Sequence, residues 1–446
     1  MSRYEDFKYV LANWDINALP KVLPRNVVIP TNAKQIITII GPRRAGKTFE
    51  MFGIIKNLVK TVNKSNILYI NFEHERLRGV NALDLEDMLK AFYELYKPLQ
   101  ELPIYMFLDE IQNIEDWSIW LRRIHDDPKF RIYISGSSSK LLSKELATEL
   151  RGRSIEFIIL PFSFYEYVLL NKYKIDDIER LSYKEKRGEV LGLLTNYINL
   201  GGYPEVVLET DIPIKNKILE SYYKTIVYKD VAERSKAKSI SLVETFMDFA
   251  IAYYSKYLSI TKIYNYLKGL GYKFRKQSLF DILKLSQDAF ILFPIEIFSY
   301  KIKNRKQYPK KIYVIDNGII NVAHTEKSKS RLIENLVLIE LERRSSLCSS
   351  FEIFYWKEYG KSEGKQVDFV IKKGMNVSQL IQVTYASTKD EINQREIDSL
   401  VIASNELKCN DLLVLTWDYS NKEISNGKNI FFMPLWKWLL IPDFPF

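Results

Sequence analysis

Residues Gly41 to Thr48 read GPRRAGKT, an uninterrupted match to G-x-x-x-x-G-K-[ST]. Glycines in such a loop let successive backbone N–H groups point at phosphate oxygens. The lysine reaches the β and γ oxygens, and the Ser or Thr hydroxyl is offered to Mg2+. The candidate nucleotide-contacting residues are Gly41, Pro42, Arg43, Arg44, Ala45, Gly46, Lys47, Thr48 and Phe49, with Lys47 also catalytic and Thr48 also a metal ligand. Before the loop runs the β-branched stretch QIITII, residues 35–40. After it, FEMFGIIKNLVKTV, residues 49–62, carries apolar residues at helical spacing. The spacing predicts strand, loop and helix, with the positive end of the helix aimed at the phosphates.

About sixty residues on, IYMFLDEIQNI (104–114) brings Asp109 and Glu110 to the end of an apolar strand, the edge at which open α/β sheets bind ligands. Asp109 suits a metal held through water, and Glu110 suits polarisation of an attacking water. The next strand ends in SGSSS (135–139), where Ser137 or Ser138 is a candidate partner for the γ-phosphate or the water; serine-rich turn chemistry is the equal alternative. In ELRGRSIEF (149–157), Arg151 and Arg153 are candidate arginine fingers toward a neighbouring subunit, or else surface ion-pair partners.

Short apolar runs at 66–72, 104–109, 131–136 and 154–160, separated by helix-length segments, predict an α/β fold with a parallel sheet and crossover helices. From Pro161 the pattern turns mainly helical, as in a lid or connector, with a glycine turn at Gly201-Gly202. Residues 259–298 parse as helix, glycine turn, helix and two short strands, the order of a helix-turn-helix with a wing; its second helix is expected at Lys276–Leu285. After Arg331 a helix, three strands, a helix and a last apolar strand predict a further α/β unit.

The chain has 446 residues and a formal net charge of +10. From Lys256 to Lys311 there are thirteen Lys or Arg against Asp281, Asp288 and Glu296, so that segment holds an excess of ten and the remainder is balanced. A basic block of this kind is the electrostatic footprint of a phosphate-backbone binder, or an ordinary solvated surface. Two cysteines, Cys348 and Cys409, are too few for a disulfide framework, and His74, His125 and His324 are too scattered for a zinc site. No apolar run is long enough to span a bilayer and the first residues lack a signal-peptide core, so the expected location is cytoplasmic, without membrane contact.

GPRRAGKT, LDEIQNIEDWSIWLRRIHD, SGSSSKLLS, LRGRSIEFIILPFSFYEY, LGGYPEVV, KIYVIDNGI and VDFVI together resemble a prokaryotic AAA+ superfamily ATPase family with a carboxy-terminal domain similar to PD-(D/E)xK nucleases. The resemblance implies a P-loop AAA+ ATPase core at 1–160, a helical lid at 161–240, a winged-helix domain at 241–325 and a restriction-endonuclease-like tail at 326–446. It implies ATP with Mg2+ as cofactor; no guanine-selective N-K-x-D motif is visible.

A nuclease of that fold needs two carboxylates on a metal and a lysine for the water. Glu334 and Asp368 supply the carboxylates, but Gln382-Val383-Thr384 stands where Glu-x-Lys is expected. Neutral ligands at these positions predict a tail without cleavage activity. Lys365 or Lys357 is a candidate substitute for the missing lysine, though nothing in the sequence places either near Asp368.

Three readings follow. The first is an ATPase acting on double-stranded DNA, with further copies of itself in a homo-oligomer as candidate partners. The second is a nucleotide-controlled scaffold for protein partners, and the third, which Gln382 and Thr384 oppose, an ATP-gated nuclease.

Overall fold

The computed structural model describes residues 3–137, 150–171, 175, 181, 184–235, 239–324, 326–348, 351–358 and 364–441. The chain divides into two compact units, Met1–Leu160 and Pro161–Phe446. No helix among the described residues is long and apolar enough to cross a membrane.

The first unit is built on β1 (Ile36–Gly41), β2 (Ile67–Asn71), β3 (Ile104–Asp109), β4 (Phe130–Ser137) and β5 (Ser154–Ile158). All pairings are parallel and the order is β2-β3-β4-β1-β5. β1 and β3 are buried along their whole length, as expected for parallel strands covered by helices on both faces. The helices Lys47–Leu58, Leu85–Tyr96 and Trp117–His125 follow β1, β2 and β3 respectively. One side of the core joins Ile37, Ile39, Met51, Ile55, Tyr69, Phe107 and Tyr133, and Phe107 stacks on Tyr133 with centroids 4.5 Å apart. β4 lies between β1 and β3, so the carboxyl ends of three strands stand side by side.

The second unit opens with helices, among them Phe164–Leu170, Lys184–Leu200, Ile212–Thr225 and Ile240–Ala252. It then forms a nine-stranded sheet from β6 (Lys256–Leu258), β7 (Leu292–Ile297), β8 (Lys310–Val314), β9 (Phe351–Lys357), β10 (Gln366–Lys373), β11 (Asn376–Val383), β12 (Leu412–Thr416), β13 (Asn421–Ser425) and β14 (Lys428–Pro434). The order is β13-β14-β12-β11-β10-β9-β7-β8-β6. β6, β7 and β8 pair antiparallel beside the helices Ile260–Gly269 and Lys276–Asp288. β7 then pairs parallel to β9 through Glu296–Phe354 and Ile297–Tyr355. The boundaries expected at 240 and 325 therefore fall within one compact unit, whose sheet runs across the second of them.

Two glycine-containing stretches lock this unit. The buried Asp316 accepts hydrogen bonds from the backbone N–H of Gly202 (2.7 Å) and of Gly318 (2.8 Å). Asn335, on the helix Lys329–Cys348, bonds both backbone groups of Val314 at 2.8 Å and the Asn317 side chain at 2.9 Å. LGGYP and VIDNG, which are far apart in sequence, are thus one buried polar joint.

Candidate nucleotide site

The loop Gly41–Gly46 leaves the carboxyl end of β1 and enters the helix Lys47–Leu58. Only glycine suits position 41, because a Cβ there would lie 2.1 Å from the carbonyl oxygen of Ile159. Lys47 is buried, and its ammonium donates to the carbonyls of Gly41 (3.2 Å) and Pro42 (3.1 Å), folding back onto the loop it follows. Arg25 bonds the carbonyls of Ala45 (3.1 Å) and Leu160 (2.5 Å), bracing the loop from the segment that precedes β1. Pro42 and Ala45 are buried, while Arg44 and Phe49 are exposed.

Asp109 meets the loop. Thr48 Oγ1 donates to its Oδ2 at 2.7 Å, Tyr69 donates to the same oxygen at 3.0 Å, and Ser135 bonds Oδ1. Burial raises the carboxyl pKa of Asp109 against the pull of its hydroxyl partners, and burial with the adjacent Asp109 raises that of Tyr69. A buried carboxylate among neutral donors suits a cation, and Thr48 and Asp109 together fit Mg2+.

Glu110 follows in a left-handed conformation, φ +55°. Its N–H donates to Ser135 Oγ at 3.3 Å, and its carboxylate accepts from Gln112. Ser135 is therefore the β4 hydroxyl that joins Asp109 to Glu110. The Ser137 side chain and Ser138, the serines favoured from sequence, lie outside the described residues.

Glu73, after β2, was not signalled by any motif. Burial raises its pKa, Glu110 and Asp109 raise it further, and Arg43 and Lys47 oppose them, which places its charge at the same site. Tyr69 was missed for the same reason. Both lie on or just past β2, and the order of strands brings them to the loop.

Arg153 stands at the amino end of β5, where its carbonyl accepts from Ile36 N–H, and its guanidinium is 3.6 Å from Asp126. Arg151 adopts φ +50° two residues earlier. Both lie at the sheet edge opposite the phosphate loop of their own chain. In the second unit, Glu334 and Asp368 share an ion-pair cluster, whereas Lys365 pairs with Asp398 at 3.5 Å and Lys357 stands over the Tyr257 ring.

Over 438 residues, 97% of this chain and 94% of the relative, the sequence is 34% identical to uncharacterized protein MJ1544 of Methanocaldococcus jannaschii. The chain belongs to the MJ1544 family. Within this member of the family, residues 33–168 match the AAA domain, and residues 191–330 match a domain of unknown function (DUF8612). A Haemophilus influenzae relative, also uncharacterized, is 28% identical over 90% of this chain and 94% of its own. Among solved structures, the Walker-type ATPase PABY2304 of Pyrococcus abyssi is similar with 16% identity and a TM-score of 0.45, covering 72% of this chain and 94% of that one.

Proposed function

We propose that this chain binds Mg2+-ATP at Gly41–Thr48, hydrolyses it, and couples the cycle to double-stranded DNA held by the basic segment of its second unit. The reading rests on one observation: Thr48 Oγ1 lies 2.7 Å from Asp109 Oδ2, so two motifs sixty residues apart converge. Backbone N–H groups of the loop and the first turn of the following helix take the phosphates. Lys47 leaves the Gly41 and Pro42 carbonyls for the β and γ oxygens. Thr48 and Asp109 would hold a Mg2+, which when bound would supply positive charge against the phosphates. Glu110, oriented through Ser135 and Gln112, accepts a hydrogen bond from the attacking water.

Arg151 and Arg153 stand at the edge away from their own loop, so a contribution from either is made to a second copy of the chain. Replacing Lys47 by Ala is expected to lower both nucleotide affinity and turnover by about 100-fold or more, since it removes the charge that meets the γ-phosphate. Calorimetry with a non-hydrolysable ATP analogue and phosphate release read the two effects; unchanged values for both would refute the site.

Lys262, Lys268, Lys273, Arg275 and Lys284 are exposed on or beside the successive helices Ile260–Gly269 and Lys276–Asp288, which supports contact with DNA phosphates. Double-stranded DNA is expected to stimulate hydrolysis several-fold at about 50 mM salt and to lose that effect by about 200 mM, because phosphate contacts release counterions. A second reading, a nucleotide-gated protein scaffold, is favoured by the exposed Tyr266, Leu270 and Phe280 on or just past the same helices, and by the pairing of Lys306 and Lys310 with Glu296. Hydrolysis indifferent to DNA at both salt concentrations selects the scaffold.

A further inference from the structure

The resemblance of the tail to metal-dependent nucleases calls for a cation between Glu334 and Asp368, and the cluster they form does not fit one. The ammonium of Lys311 stands in that place, 2.7 Å from Glu334 Oε1 and 2.9 Å from Asp368 Oδ1. We infer that Lys311 is a built-in replacement for the metal, and that the former cleavage centre is a latch fastening the β6-β7-β8 ribbon to the rest of the sheet.

The three charges come from three elements: β8, the helix Lys329–Cys348 and β10. Further hydrogen bonds reach the same residues. Asp368 Oδ2 accepts from the N–H of Val383 at 3.1 Å, Tyr313 donates to Glu334 Oε1 at 2.6 Å, and the Gln382 side-chain oxygen accepts from Asp368 N–H at 3.4 Å. The Tyr257 ring lies 6.0 Å from the ammonium.

A divalent ion and an ammonium cannot share the same two oxygens, because like charges at this separation repel strongly in a buried site. Access points the same way. The side chains of Lys311, Glu334 and Asp368 are only 4%, 12% and 4% exposed, so they offer little surface to a phosphodiester. The ion pair is also a stringent fastener, since removing one partner strands a buried charge. Gln382 and Thr384 fit this account: once the cation belongs to the chain, no third acidic ligand is needed.

The test uses the full chain carrying Asp109→Asn, which silences the nucleotide-site metal. Mn2+ binding is followed by electron paramagnetic resonance, and folding by urea titration with and without Mn2+. The latch predicts no stoichiometric Mn2+ bound in this background and no effect of Mn2+ on folding. It also predicts that Lys311→Met lowers the folding equilibrium constant by about 100- to 1,000-fold, and that the smaller Lys311→Ala recovers part of the loss with Mn2+. Stoichiometric Mn2+ binding that disappears on Asp368→Asn with Lys311 intact would overturn the proposal. So would Mn2+-dependent plasmid nicking abolished by Lys311→Met and Asp368→Asn alike, or a Lys311→Met chain as stable as its parent.

Discussion

Glu110→Gln is expected to reduce ATP turnover by about 10²- to 10³-fold while nucleotide affinity stays within a few-fold of the parent. The substitution keeps the size of the side chain and its capacity to accept from Gln112, but removes the negative charge that the proposed mechanism uses to draw a proton from the attacking water. The backbone supports this assignment. Glu110 is held at φ +55°, a conformation that costs about 1 kcal/mol or more for a residue with a side chain. Its N–H is tied to Ser135 Oγ at 3.3 Å, so the strain is maintained by the same serine that fixes Asp109. Steady-state phosphate release and titration with a fluorescent nucleotide separate the two quantities. Undiminished turnover would remove Glu110 from the mechanism and make Glu73, whose charge is coupled to the same groups, the next acid to replace.

Gly201→Ala is expected to destabilise the second unit by about 4 kcal/mol or more, at the upper end of single-residue effects. A Cβ at Gly201 would lie 1.8 Å from Asp316 Oδ1, and the residue sits at φ +77°. Asp316 cannot step aside, because its two oxygens satisfy the N–H groups of Gly202 and Gly318 in a buried site. Burial raises its pKa to about 6, a sign of how little water reaches it. Gly192→Ala is the matched control. It lies in the helix Lys184–Leu200, where beyond its own helical backbone nothing comes within 4 Å of its would-be Cβ, and the exchange is expected to be neutral or to stabilise by up to about 1 kcal/mol. Urea unfolding of the two variants measures the contrast; equal midpoints would show that the joint tolerates a side chain.

The parts of the molecule legible in the sequence are those written in consecutive residues. GPRRAGKT, the apolar strand before it and the strand ending in Asp109-Glu110 each carry a complete local signal, and the parallel five-stranded sheet follows from their spacing. What the sequence conceals is set by strand order. The insertion of β4 between β1 and β3 makes Ser135 the hydroxyl on Asp109, and the position of β2 beside β3 brings in Tyr69 and Glu73. Lys311 is the extreme case. It was counted among the basic residues of a surface segment, yet it is buried against a carboxylate 57 residues later. No motif records a partnership made by a strand from one expected domain and two elements of the next.

The parallel pairing of β7 with β9 bears on how such a chain can evolve. Severed near residue 325, either half would present a bare strand edge, an open invitation to aggregation. A tail exchanged on its own would have to cover the β7 edge afresh. Within the second unit the basic helices and the tail thus share one sheet, whereas the division at Leu160–Pro161 crosses no strand pairing.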